Sequence, residues 1–254
     1  MGSFTKWLGA GLGFTFGGPI GAAIGFAIGS FVDGFEADQF KQEQIDYNRD
    51  RPTRNTRANS NTQSGDFEMS LLVLASIVIK SDGKIDQREL AFVRSQFLGM
   101  YGKERANNAF KLFKGIVKKD ISARQVCIQI REHMSHASRL QLLHFLFGIA
   151  KADEFVSKKE VEEIRKIAGY LYISQNDYES IKAMFYDESG NAYKILEIDK
   201  SASNDQVKSA YRKMVKKYHP DKLRDLGEEH LQGAKEKFQS IQDAYEKIKN
   251  ERGL

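Results

Sequence analysis

The tripeptide His219-Pro220-Asp221 stands between two helix-patterned stretches and limits where each can run. Before it, Val207, Ala210, Tyr211, Met214 and Tyr218 recur at spacings of three and four, which gathers them on one face of a helix. Lys208, Arg212 and Lys216 fall four apart on the other face with Lys213 and Lys217 beside them, so a cationic stripe is expected along the solvent side. Ser203-Asn204-Asp205-Gln206 has the form of a capping box: the serine hydroxyl accepts from the backbone N–H three residues on, and Gln206 reaches back. Pro220 ends the helix, because the residue before a proline is pushed out of the α region; His219 therefore closes it and the tripeptide falls in a loop. From about Glu228 a further helix is expected, with Ala234, Phe238, Ile241, Ala244, Tyr245 and Ile248 as its buried stripe. Tyr193, Leu196 and Ile198, on a short leading helix, close the small core between them.

The segments AYKILEI, AYRKMVKKYHPDK and KFQSIQDAYEKI carry a resemblance: residues 191–254 look like a DnaJ-type J-domain, a helical hairpin. The longer run HPDKLRDLGEEHLQGAKEKFQSIQDAYEKIK resembles the DjlA-type co-chaperones, which place the J-domain at the C-terminus behind an N-terminal membrane segment. This resemblance implies that His219, Pro220 and Asp221 stimulate ATP hydrolysis by a DnaK-type chaperone and that Lys208, Arg212, Lys213, Lys216 and Lys217 dock on it. The physics agrees. A cationic stripe steers an acidic partner and raises the association rate, while a loop held by proline presents its side chains at lower ordering cost. The chain is then an activator of a partner ATPase and not itself an enzyme. One departure is Glu197, where the family usually has glycine; a local change at the end of the first helix is expected there, with the interaction kept.

Trp7 to Val32 holds no charged residue over 26 positions, enough at the helical rise to cross a bilayer with tilt. Six glycines recur every fourth residue, Gly9, Gly13, Gly17, Gly21, Gly25 and Gly29, and bare one helix face for close packing, so self-association into a homodimer is an expectation. Glycine weakens a helix and Pro19 kinks it; a cleaved signal peptide and a broken hairpin are the competing readings of a single retained span. Lys6 and Lys41 leave the orientation open by charge. A J-domain needs a DnaK-type partner and ATP, which puts the C-terminal domains in the cytoplasm and the segment in the inner membrane. Residues 33–66 read as a polar linker, whose later part is rich in Arg, Asn, Ser and Thr.

Residues 67–186 read as a bundle of some seven short helices, with stripes such as Phe67, Leu71, Leu74 and Val78, or Leu142, Phe145, Leu146 and Ile149. Within it SLLVLASIVIKSDGKIDQRE and QLLHFLFGIAKADEFVSKKE align without gaps at an offset of 71 residues, which implies two similar helix pairs. Asp86-x-x-Glu89 and Ser157-x-x-Glu160 are capping boxes at the start of each second helix. An EF-hand is excluded, because Val78 and Lys80 occupy the positions of its first two carboxylates. Asp82 and Asp153 are left over by capping. The arrangement resembles the TerB-like domain, a helical module with acidic residues at such turns, and that resemblance makes Asp82, Asp86, Asp153 and Glu160 a candidate divalent-metal set beside the capping alternative. Cys127, His133 and His136 lack an evident fourth ligand for a transition metal.

Three prolines, strong helical periodicity and no alternating strand pattern make the fold all-α: a glycine-rich membrane helix at 7–32, a TerB-like helical bundle and a C-terminal J-domain hairpin. One cysteine excludes an intramolecular disulfide and a CxxC zinc module. The net charge of +5 is small and concentrated in the J-domain helix, which disfavours nucleic acid as a partner. The leading expectation is a membrane-anchored J-domain co-chaperone, with the TerB-like bundle as client or partner module and no cofactor required. The alternative is a membrane stress or metal-response scaffold whose bundle binds divalent metal or partner proteins.

Overall fold

The computed structural model describes residues 64–118, 120–152, 157–186, 190–219 and 228–253. The expected membrane helix with its glycine row, most of the linker, Asp153, Pro220 and Asp221 lie outside the described residues. Among the described residues the structure is helical and holds no strand. The helices are α1 (Ser64–Ile79), α2 (Gln87–Val117), α3 (Ala123–His133), α4 (His136–Lys151), α5 (Lys158–Tyr170), α6 (Gln175–Ala183), α7 (Asn191–Ile195), α8 (Asn204–Tyr218) and α9 (Glu228–Arg252).

Helices α1 to α6 form the middle bundle. Instead of seven short helices it has six among the described residues, of which α2 is two helical stretches joined at Gly102, whose φ of 74° breaks the helical path. The internal echo is a structural one. Helix α1 leads into α2 as α4 leads into α5, and the second helix of each pair starts with the same device: Asp86 with Glu89, and Ser157 with Glu160, each close a complete capping box. Helix α4 is the centre of the bundle, with Ser138 and every residue from Leu140 to Ala150 buried. A one-sided stripe cannot describe such a helix, because α1, α2, α3, α5 and α6, and α9 from the C-terminal domain, surround it. Gly148 lets the Phe92 ring of α2 approach it, as a Cβ there would lie 2.7 Å from that ring.

The C-terminal helices build the second unit. Helix α8 starts at the Ser203 capping box and ends at His219, whose φ of −63° and ψ of 130° are extended. Tyr211 stacks on Tyr245 at 4.1 Å, while His219 meets Phe238 edge-on at 5.9 Å, so α8 and α9 run antiparallel. Val207, Ala210, Met214 and Tyr218 are buried against Ala234, Ile241, Ala244 and Ile248. Arg252 ties the far end: it donates to the Lys200 carbonyl at 2.7 Å, the Ala202 carbonyl at 2.6 Å and the Tyr193 hydroxyl at 3.1 Å.

Candidate functional site

Four of the five expected docking cations project from α8 into solvent. Lys208, Arg212, Lys213 and Lys216 are exposed, Lys213 by 71% of its side chain. The stripe follows from the helical period, which opposes these residues to the buried Val207, Ala210 and Met214. It leads to His219, half-buried at the C-terminal cap of α8, with its ring edge-on to Phe238.

Lys217 corrects the sequence reading. Placed at sequence level on the solvent side, it is only 24% exposed and is turned toward the bundle. Its ammonium donates to Glu197 at 2.6 Å and to the Asp177 carboxylate of α6. Burial lowers the affinity of Lys217 for its proton, and the two carboxylates more than offset that, so its pKa is raised. Asp177 is buried too. Burial pushes its carboxyl up, but His136 nearby at 3.6 Å and the hydrogen bonds from Lys217 and Ser174 hold it well below the usual carboxylate range. The Ser174 hydroxyl donates at 2.7 Å and the Tyr218 hydroxyl at 3.5 Å.

Glu197 explains its own departure from glycine. Its φ of 58° is left-handed, a conformation that glycine adopts without strain. Here the carboxylate compensates by accepting from Lys213 at 3.4 Å and Lys217 at 2.6 Å. Beside this cluster Lys237 of α9 is 1% exposed, with its ammonium 5.3 Å from the centre of the Tyr218 ring. Sequence periodicity put no functional weight on Asp177, Glu197 or Lys237.

Of the candidate metal residues, the three that are described, Asp82, Asp86 and Glu160, are engaged in turns and caps. Asp82 accepts from the Lys84 amide at 2.8 Å, which accounts for a residue that capping left over. Asp86 caps α2 and pairs with Arg88 at 3.0 Å; Glu160 accepts from the Ser157 amide at 2.7 Å. Among the described residues no three histidine, cysteine, aspartate or glutamate side chains gather as a metal site. Cys127 is buried and its thiol is pushed up to about 12 by burial and by the Glu163 charge; His133 is exposed and His136 lies 3.6 Å from Asp177.

Three family models match the chain in order. The Co-chaperone DjlA transmembrane domain matches residues 1–52, Tellurite resistance protein TerB residues 68–183 and the DnaJ domain residues 191–253. The chain is of the DjlA type. It is 29% identical over 232 residues to the Co-chaperone protein DjlA of Vibrio vulnificus strain CMCP6, covering 74% of this chain and 79% of that protein. To its counterpart in Photobacterium profundum it is 26% identical over 232 residues, covering 78% and 82%. Over a shorter stretch of 59 residues it is 51% identical to the Chaperone protein DnaJ of Lactococcus lactis subsp. lactis strain IL1403, covering 23% of this chain and 14% of that one. No solved structure matches. As a DjlA-type chain it is a membrane-associated J-domain co-chaperone whose first 52 residues match the transmembrane model. Among the described residues no helix is long and apolar enough to cross a membrane.

Proposed function

We propose that this co-chaperone recruits a DnaK-type chaperone and stimulates its ATP hydrolysis without catalysing a reaction itself. Held in the inner membrane by a single N-terminal span, it presents its bundle and J-domain to the cytoplasm, and the bundle serves as the client or partner module. The observation that carries this reading is the exposed strip Lys208, Arg212, Lys213 and Lys216 running along α8 to His219. Those charges attract an acidic partner at long range and orient it on the helix, so that encounter ends with the partner beside the loop. The activator then works by differential binding: it favours the partner conformation that hydrolyses ATP, and no side chain of its own touches the reacting phosphate.

Single-turnover ATP hydrolysis by the cognate DnaK-type chaperone tests this. Wild-type chain is expected to accelerate hydrolysis, and His219→Gln to abolish the acceleration while leaving the circular dichroism spectrum and melting nearly unchanged. Full stimulation by His219→Gln refutes the assignment of the loop.

A further inference from the structure

The working end of the J-domain does not stand clear of the bundle. Lys217 precedes Tyr218 and His219 in the chain, yet its charge is shared between Asp177 of the bundle and Glu197 of the J-domain. The Tyr218 hydroxyl points to the same Asp177. The seam continues away from the charges. Ser180 of α6 donates to the Ile195 carbonyl at 2.8 Å, and Gly233 of α9 lies so close to α4 that a Cβ there would fall 1.5 Å from the Gln141 amide. A lysine held by two carboxylates has little charge left to offer an acidic surface.

We propose that Asp177, a residue of the bundle, sets the affinity of the J-domain for its acidic partner by standing in for a partner carboxylate on Lys217. The proposal rests on the co-chaperone reading above. In the docked arrangement the partner first meets Lys208, Arg212, Lys213 and Lys216. Full engagement exchanges the Asp177 carboxylate for one of the partner's and frees the C-terminal turn of α8. The partner thus binds the undocked J-domain better and draws the population toward it. The apparent affinity of the wild-type chain is lowered by the fraction that is docked. Asp177 is a positioning residue in this scheme, since it acts through Lys217.

Two variants of the full chain in lipid nanodiscs test it in the same single-turnover assay. Asp177→Asn keeps the shape and removes the charge. The chaperone concentration that gives half-maximal stimulation is expected to fall by about fivefold or more, within the usual range of coupling between sites. That affinity is also expected to weaken more steeply with added salt, because Lys217 joins the interaction; a residue that only supported the fold would leave the salt dependence as it was.

The second variant, Gln141→Cys with Gly233→Cys, places thiols across the seam, and buried Cys127 does not compete. The oxidised chain is expected to need more chaperone for half-maximal stimulation, and dithiothreitol to restore the wild-type value. Equal stimulation by the oxidised and reduced forms overturns the proposal, and so does an Asp177→Asn chain that needs as much chaperone as wild type or more. A wild-type chain that never stimulates refutes the co-chaperone reading first and takes this one with it.

Discussion

Lys237→Met isolates what burying a lysine does to this fold. Lys237 is 1% exposed between α8 and the bundle. Burial pulls its ammonium down from 10.5 to about 7, with the Glu236 charge only partly opposing. Its surroundings add no second cation at neutral pH, because burial and the Lys237 charge hold His144 well below its usual range. Above pH 7 the folded chain has released a proton that the unfolded chain keeps up to about 10.5, so the unfolded state binds more protons and stability rises with pH. Below pH 7 both states hold the proton and the full penalty remains. The slope has a ceiling of about 1.4 kcal/mol per pH unit, which gives at most about 2 kcal/mol between pH 7 and 8.5. Other groups act outside that interval. Neutral His144 contributes below about 6.5, Asp177 below about 4, and Cys127, pushed up to about 12, with the opposite sign above about 9. Urea titrations followed by circular dichroism at pH 7.0 and 8.5 read the difference. Wild type is expected to gain stability across the interval, while Lys237→Met is flat and about 1 to 3 kcal/mol more stable at pH 7.0. A methionine variant that keeps the wild-type slope refutes the reasoning.

The two capping boxes predict a matched pair of losses: Asp86→Ala and Ser157→Ala each lower unfolding free energy by about 1 kcal/mol in urea titration, and a change below about 0.3 kcal/mol at both would deny the caps their role. Two helical glycines separate packing from propensity. Gly148→Ala is expected to lower the melting temperature, because the Phe92 ring must move and overpacking costs about 1 to 3 kcal/mol; Gly169→Ala, with nothing within 4 Å of the added carbon, is expected to raise stability by up to about 1 kcal/mol.

Local chemistry was what the sequence could be read for. The ends of α8 follow from Ser203, Gln206 and Pro220, and the paired starts of α2 and α5 follow from Asp86 with Glu89 and Ser157 with Glu160, because every partner lies within four residues. The two faces of α8 were equally legible, since the period assigns a residue to a face. It does not say what the face meets. Lys217 lies on the flank of the stripe and reads as solvent-facing, yet Asp177 sits 40 residues before it in the chain and no periodicity connects them. Lys237 lies inside a helix in which Lys235 and Lys247 are exposed and Lys249 is half-buried, and its burial comes from the packing of α9 against both α8 and α4. In helix α4 the stripe Leu142, Phe145, Leu146 and Ile149 is buried as its period implies, and the neighbouring helices bury the rest of Leu140 to Ala150 as well, which a stripe does not show. Asp82 needed only the recognition that an aspartate can accept from the amide two residues on.

The seam between bundle and J-domain carries opposing contributions, and their balance bears on function. Asp177 with Lys217 and Tyr218, and Ser180 with the Ile195 carbonyl, favour the docked arrangement. Lys237 disfavours it at pH 7, because an ammonium so deeply buried recovers hydration when α9 leaves the bundle. Breaking the Asp177 contact is eased in the same way, since both charges regain water once separated. A seam made only of packed apolar side chains would hold the J-domain in one place whatever partner arrived. One that closes on a charged pair and buries a lysine beside it is weak enough for an acidic partner to displace, and the displaced residue, Lys217, is a cation that such a partner would bind.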